Sequence, residues 1–537
     1  MTKIDAGSRT GSLRYAARRW PVGPAWRWWR ALPAALRLVV VLHTLVLLLA
    51  TVLFPNYRGP DEPLHVDLIA AAASAEAVPW PAPGERRVAS GVGAGGFITN
   101  GRIPERRVLI ASAAPPRSER PSFRAAGGGN PSTSANQLVQ HPPLYYYLLA
   151  PVLALVPDWQ DQPFDRLVAL LRVVNALLLA PLPLLGFVLA RRVGLAAPVA
   201  VAAAAVPLAV PQLYHIGSSV NNDNLLLPLL AGTAVVAASV GRGDVRLRTA
   251  GLLGVLTGLC LLTKGLALFL PLLVAVAYAV AASRVGPRRS VPPAAAALAA
   301  GLGIGGWWWV RNKIAYGTFQ PDGTKLVQPK LVAHTSWAQT GGDWLDQFSW
   351  LMTRRFWLDP GSTAVPHVTD VAAAVAAALV VAGVGLSVAT RTPRWRDTLL
   401  LVLPLACLAG IVGYGSWETW EKVIRASGMQ GRYLYGALPG LAVLVVAGAG
   451  RLLGRRRAVL PLLVVLLAAA MQAVALRLTL PIYWLPETGS RPARLVGGIE
   501  ALLAWSAWPP VVVVAVAVGA VGVGVATVAV LARDAYR

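Results

Sequence analysis

Long apolar runs alternate with short arginine clusters along this chain. Runs fall at 34–54, 167–190, 196–213, 225–240, 250–262, 265–282, 294–310, 371–388, 398–412, 434–448, 458–475 and 511–531. A helix needs roughly 20 consecutive apolar residues to cross a bilayer, so the pattern predicts an all-α, polytopic membrane protein of about twelve spans. The apolar run at 144–156 is only about thirteen residues long. Runs of that size are more often re-entrant or interfacial, and it is expected to lie on the outer face. Residues 1–33 form a basic, aromatic segment before the first span. With Trp26, Trp28 and Trp29 set among arginines, part of it reads as interfacial, and no cleavable signal is expected.

The arginines orient the threading. Arg191 and Arg192; Arg242, Arg246 and Arg248; Arg284, Arg288 and Arg289; Arg391, Arg394 and Arg396; Arg451 and Arg455 to Arg457; and Arg533 and Arg537 all fall on one side of a twelve-span chain. Cytoplasmic loops carry the excess of Lys and Arg. Both termini are therefore expected in the cytoplasm of a bacterial cell, with the long loops outside. The first outer loop, 55–166, is the longest, and its Gly-, Ser- and Asn-rich middle, 125–136, is expected to be mobile. The organisation expected is a cytoplasmic segment at 1–33, a membrane module at 34–476, and an outer loop with a final span at 477–537.

Composition agrees with lipid as the solvent. Of 537 residues 56% are hydrophobic and 14% charged, against about a quarter charged in a soluble domain. The net charge of +25 would suggest nucleic acid, but its distribution between apolar runs is that of membrane topology, and no nucleic-acid partner is expected. Cys260 and Cys407 both lie in apolar runs and read as core filler.

Five polar elements could carry chemistry, and the threading brings all of them to the outer face. Pro60-Asp61-Glu62-Pro63-Leu64-His65 follows the first span. A carboxylate there could serve as a general base or a cation ligand, with helix capping as the plain alternative. His141-Pro142-Pro143-Leu144-Tyr145-Tyr146-Tyr147 closes the first loop. Asp223 lies in the next outer loop. Lys264 interrupts about thirty otherwise apolar residues, and such a group is a functional hypothesis by default. Gln430-Gly431-Arg432-Tyr433 starts the tenth span, and Arg432 has the forked donors that suit a phosphate. No nucleotide-binding loop, zinc spacing or serine elbow is convincing.

The order and spacing of these motifs resemble the GT-C superfamily, polytopic glycosyltransferases that use polyprenyl-phosphate-linked sugars. Lipid A aminoarabinose transferases and protein O-mannosyltransferases belong to it. The Pro-Asp-Glu-Pro-Leu-His and Gln-Gly-Arg-Tyr-Leu elements look closer to a bacterial branch of predicted membrane proteins. The resemblance implies a GT-C-like fold over most of the chain and transfer of a sugar from a polyprenyl phosphate to a glycan, lipid or protein outside the cytoplasmic membrane, with membrane lipid as the surroundings. It implies Asp61, Glu62 and Asp223 as catalytic acids, Asp61 being the general base of an inverting displacement. His65, His141, Lys264, Gln430, Arg432 and Tyr433 would bind substrate; relatives often have Lys in place of His141. No cofactor is demanded. Some relatives use a divalent cation, which Asp61, Glu62 and Asp223 would hold here. The rival reading is a transporter or lipid flippase. Transporters place polar groups at mid-membrane, whereas here they crowd at one face. A non-catalytic scaffold would leave Lys264 and the acidic pair without a role.

Overall fold

The computed structural model describes residues 25–93, 117–321, 341–359, 367–423, 428–486 and 488–536, and most of them are helical. Among the described residues, eight helical stretches are long and apolar enough to cross a membrane, nine if the pair Ala197–Ala209 and Pro211–Gly217, bent by 69°, forms one span. The twelve expected runs map onto these stretches and their neighbours. Run 250–262 is the short apolar helix Leu247–Leu261. Run 294–310 lies in the helix Pro287–Gly301, which passes through a π turn at Leu302–Gly306 into Trp307–Tyr316. Runs 434–448 and 458–475 share the stretch Gly431–Tyr483, broken at Gly454 where φ is 52° and ψ −112°.

Burial sorts the helices. Asp223–Gly241 is the most enclosed and packs against Phe164–Leu179, Leu182–Arg192, Leu247–Leu261, Leu270–Val285 and Trp395–Val423. The outer helices, including Pro510–Tyr536 on Ala34–Leu53, keep apolar residues such as Val381, Val518 and Val521 exposed. An apolar outer face is what lipid contact demands. Glycines allow the closest crossing. A Cβ on Gly258 would meet Ile304 Cβ at 2.5 Å, and one on Gly305 would lie 2.2 Å from the Gly258 carbonyl oxygen. Small residues spaced by four let helix backbones approach without side chains between them.

The described parts of the first loop, 55–93 and 117–166, are built rather than loose. The 144–156 run forms the helix Leu144–Ala154, about 16 Å long at 1.5 Å per residue, and packs on the helix Glu62–Ala73. The strand Arg87–Ala89 pairs antiparallel with Pro131–Ala135. The segment expected to be mobile therefore contains a strand. Its anchor is Asp67, fully buried. The Asp67 carboxylate accepts two hydrogen bonds from Arg86 at 2.8 and 2.9 Å, one from Ala89 N at 2.8 Å and one from Asn136 Nδ2 at 2.8 Å.

Four helices have one end near Asp61 and the other among arginines. Asp223–Gly241 runs to Arg242, and Leu270–Val285, entered from Lys264, ends beside Arg284. Leu438–Leu453, entered from Arg432, ends at Arg451, and Trp395–Val423 begins between Arg394 and Arg396 and reaches Ser416. The chemistry-bearing residues and the arginine clusters thus occupy opposite ends of the bundle.

Candidate active site

Seven separated segments line one cavity of about 270 Å³; besides Gln320 and the 411–416 stretch, five of them bring polar groups to it. Asp61 and His65 enter from the start of the helix Glu62–Ala73, and His141 from the close of the first loop. Asn221 precedes Asp223–Gly241, Lys264 stands between two helices, and Arg432 and Tyr433 begin a 3₁₀ turn. Each segment breaks regular helix here for a local reason. Asp61 caps its helix in the left-handed region, at φ 59°, a conformation that Asp tolerates better than most residues. Lys264 is extended, at φ −164°, between a helix end and the 3₁₀ turn Gly265–Phe269. Gly431 lies against backbone: a Cβ there would sit 2.2 Å from Phe356 N and 2.5 Å from the Met352 carbonyl oxygen.

The charges form a linked chain, Lys264–Asp223–Arg432–Asp61. Lys264 Nζ donates to Asp223 Oδ1 at 2.6 Å. Arg432 Nη2 donates to Asp61 Oδ2 at 3.2 Å, and Arg432 Nη1 is 3.9 Å from Asp223 Oδ2. Both cations lie over the Tyr433 ring, 5.4 Å from its centroid for Lys264 and 5.2 Å for Arg432. The side chains of Asp223, Lys264 and Arg432 are buried, while that of Asp61 is 38% exposed. Arg432 Nε and Nη1 and Asp223 Oδ2 have no hydrogen-bond partner among the described residues. A buried guanidinium with two unmet donors beside a cavity is suited to an anion.

The histidines add polarity without charge. Burial, followed by the nearby Lys264, pushes the His141 imidazole down to about 3. Burial lowers His65 well below its usual range, with Lys264 and then His141 adding to it. His65 Nδ1 is 3.1 Å from the Tyr146 hydroxyl.

The model of a family described as "Predicted membrane protein (DUF2142)" matches residues 44–441. The chain belongs to the DUF2142 family. No curated protein matches it. Among solved structures, ArnT from Cupriavidus metallidurans bound to undecaprenyl phosphate is 15% identical, with a TM-score of 0.43, over 93% of this chain and 77% of that one. The Archaeoglobus fulgidus oligosaccharyltransferase in its apo form is 12% identical, with a TM-score of 0.41, over 91% and 55%. The S. cerevisiae protein O-mannosyltransferase Pmt1-Pmt2 complex bound to the sugar donor is 20% identical, with a TM-score of 0.28, over 35% and 28%. These likenesses are distant, and the reading of the site rests on its own geometry.

Of the residues singled out in this DUF2142 protein, Asp61, His65, His141, Lys264, Arg432 and Tyr433 line the cavity. Asp223 stands behind Lys264 and Arg432. Gln430 lies outside the lining, and its carbonyl accepts from Tyr433 N at 3.0 Å, closing the turn that carries Arg432. Glu62 points elsewhere. Its oxygens accept from Arg172 Nε at 2.7 Å and Nη2 at 2.6 Å, and from the Tyr57 and Val220 amides at 2.7 and 2.9 Å. Arg172 also donates to the carbonyls of Thr51, Phe54 and Pro55. With every acceptor site occupied in a dry core, Glu62 joins the first loop to the bundle. Arg172 was missed by sequence reasoning, although, like Lys264, it is an ionisable residue inside an apolar run.

The carboxylates suit a divalent ion poorly. Among the described residues no three His, Cys, Asp or Glu side chains are grouped to hold one. Glu62 is committed to Arg172, and Asp61 and Asp223 both face cations. No step below runs through a metal.

Proposed function

We propose that this protein is a membrane glycosyltransferase that moves a sugar from a polyprenyl phosphate to an acceptor hydroxyl on the extracytoplasmic side of a bacterial cytoplasmic membrane. The observation that carries the reading is the pairing of one exposed carboxylate with two buried cations at a single cavity. Lys264 and Arg432 would grip the phosphate, and Asp61 would face the acceptor. The acceptor oxygen attacks the anomeric carbon as its proton passes to an Asp61 oxygen. The bond from that carbon to the phosphate oxygen breaks with its electron pair, leaving polyprenyl phosphate with one more negative charge. That charge grows beside Lys264 and Arg432, where fixed cations in a water-poor site stabilise it more than water would. Attack opposite the leaving phosphate inverts the anomeric centre. Asp223 would hold the two cations at the spacing the phosphate needs.

The site's side of the membrane follows from charge. Asp223–Gly241, 19 residues long, spans roughly 28 Å at 1.5 Å per residue, close to the hydrocarbon thickness of a bilayer. With the arginine end in the cytoplasm, the cavity opens on the opposite side. The polyprenyl chain would lie against the lipid-facing helices.

The test is Asp61→Asn in protein reconstituted into vesicles with undecaprenyl phosphate carrying a labelled hexose. Release of undecaprenyl phosphate is expected to fall about 10²–10⁴-fold, the usual size of a general-base contribution. A folded variant that releases it at the wild-type rate removes Asp61 as the base. Wild-type protein that carries the lipid across the vesicle membrane with its glycosidic bond intact favours the transporter instead.

A further inference from the structure

The cavity has a second wall that the phosphate reading does not use. It is made by the end of the first loop, where the 3₁₀ turn Gln137–Gln140 delivers Gln137, Gln140 and then His141, with Asn221 beside them. These are neutral donors and acceptors. Asn221 Nδ2 is already engaged, donating to the Pro60 carbonyl at 3.1 Å. His141 lines the cavity and is 93% buried, and its Nδ1 has no hydrogen-bond partner among the described residues. Buried polar groups are nearly always paired, and one left unpaired beside a cavity calls for an explanation.

We propose that His141 is a specificity-determining residue whose neutral ring forms a hydrogen bond with a hydroxyl of the transferred sugar, so that the donor carries an uncharged sugar at that position. This rests on the glycosyl-transfer reading above. A neutral imidazole has one N–H and one bare nitrogen on different edges of the ring, and a sugar hydroxyl can accept from the first or donate to the second, so it suits either nitrogen. A phosphate offers only acceptors and would leave the bare nitrogen unmet. The surroundings also disfavour a cation. Burial and then Lys264 oppose a positive charge on the His141 ring, Asp223 offsets part of this, and Arg432 adds to the opposition; the same balance acts on an ammonium group brought to the same place. An amino sugar would therefore be disfavoured where a hydroxyl sugar is welcome.

The test compares three ligands in purified, reconstituted protein: undecaprenyl phosphate, undecaprenyl phosphomannose and the phosphoglucose equivalent. Binding is read by displacement of a labelled lipid. Wild type is expected to bind at least one sugar-bearing lipid more tightly than the bare lipid. His141→Ala should lose that preference, weakening the sugar-bearing lipid by roughly three- to tenfold, the size of one to two hydrogen bonds, while leaving bare lipid unchanged. His141→Gln, neutral with a donor and an acceptor, should restore part of it and shows that lost affinity is not lost folding. Equal weakening of sugar-bearing and bare lipid by His141→Ala would make His141 a phosphate ligand and overturn the inference, leaving the transferase reading standing. Wild-type binding of both sugar lipids no tighter than bare lipid would also overturn it. Failure of the wild type to bind any of the three would remove both.

Discussion

Glu62→Gln separates two roles that adjacent carboxylates could exchange. The Arg172 guanidinium is 1% exposed, on a helix that packs against Ala34–Leu53 and Asp223–Gly241. Its charge is balanced by Glu62 through two bonds at 2.7 and 2.6 Å. The amide of the variant keeps the shape and loses the charge, leaving a buried guanidinium with carbonyl partners alone and turning one acceptor into a donor that faces it. Removing one partner of a buried pair costs about 3–5 kcal/mol. The expected outcome is a marked fall in thermal midpoint in a nanodisc, with lower yield of folded protein. A double variant, Glu62→Gln with Arg172→Met, should be less destabilised than the two single changes summed, because each single change strands the other's charge or dipole. The assay is unfolding followed by tryptophan fluorescence, with lipid release measured on the folded fraction. A Glu62→Gln protein that melts like wild type and yet loses turnover would refute the assignment and return Glu62 to the cavity chemistry.

Two other perturbations probe the frame around the site. Gly431→Ala places a methyl group 2.2 Å from Phe356 N and 2.5 Å from the Met352 carbonyl oxygen, backbone atoms that cannot swing aside; the cost expected from overpacking is about 1–3 kcal/mol, and undecaprenyl phosphate should bind at least several-fold more weakly because Arg432 is the next residue. Wild-type affinity in that variant would mean that Arg432 does not depend on this contact. Stability should also fall on acidification. His141 titrates near 3 when folded, against 6.5 for an unperturbed imidazole, so between those values the unfolded chain binds more protons and stability rises with pH. It is fully present above about 6.5 and is lost as pH falls toward 3, and His141→Gln should flatten this slope in thermal unfolding measured at pH 7, 5.5 and 4.5.

What could be read from the sequence follows the range of each interaction. Apolar runs report on lipid, which acts on every residue of a helix, so the bundle was legible. Lys264 and Arg432 were legible because a charge inside or beside an apolar run is costly wherever it points. The same signal was present at Arg172 and was absorbed into the run 167–190. Its partner Glu62 is 110 residues away, and nothing local announces the pair. The order of 125–136 was likewise hidden. Glycine, serine and asparagine suit a mobile tract, but Asn136 reaches the buried Asp67, and the strand follows from that tertiary bond.

Asp61 and Glu62 show where the reading ran out. They are neighbours with similar chemistry, and the motif offered both as acids. The chain turns sharply between them, from a left-handed cap at Asp61 into the first helical residue at Glu62, and successive helical residues point roughly 100° apart. One carboxylate must therefore face the cavity and the other the core, and the direction is decided by what lies on each side. On the core side Arg172 waits with a fixed fork of donors. On the other side is Arg432, held by Gly431 against Phe356 and by Asp223 from behind. The division of labour between the two acids is thus a property of two arginines distant in sequence, and only a three-dimensional arrangement assigns it.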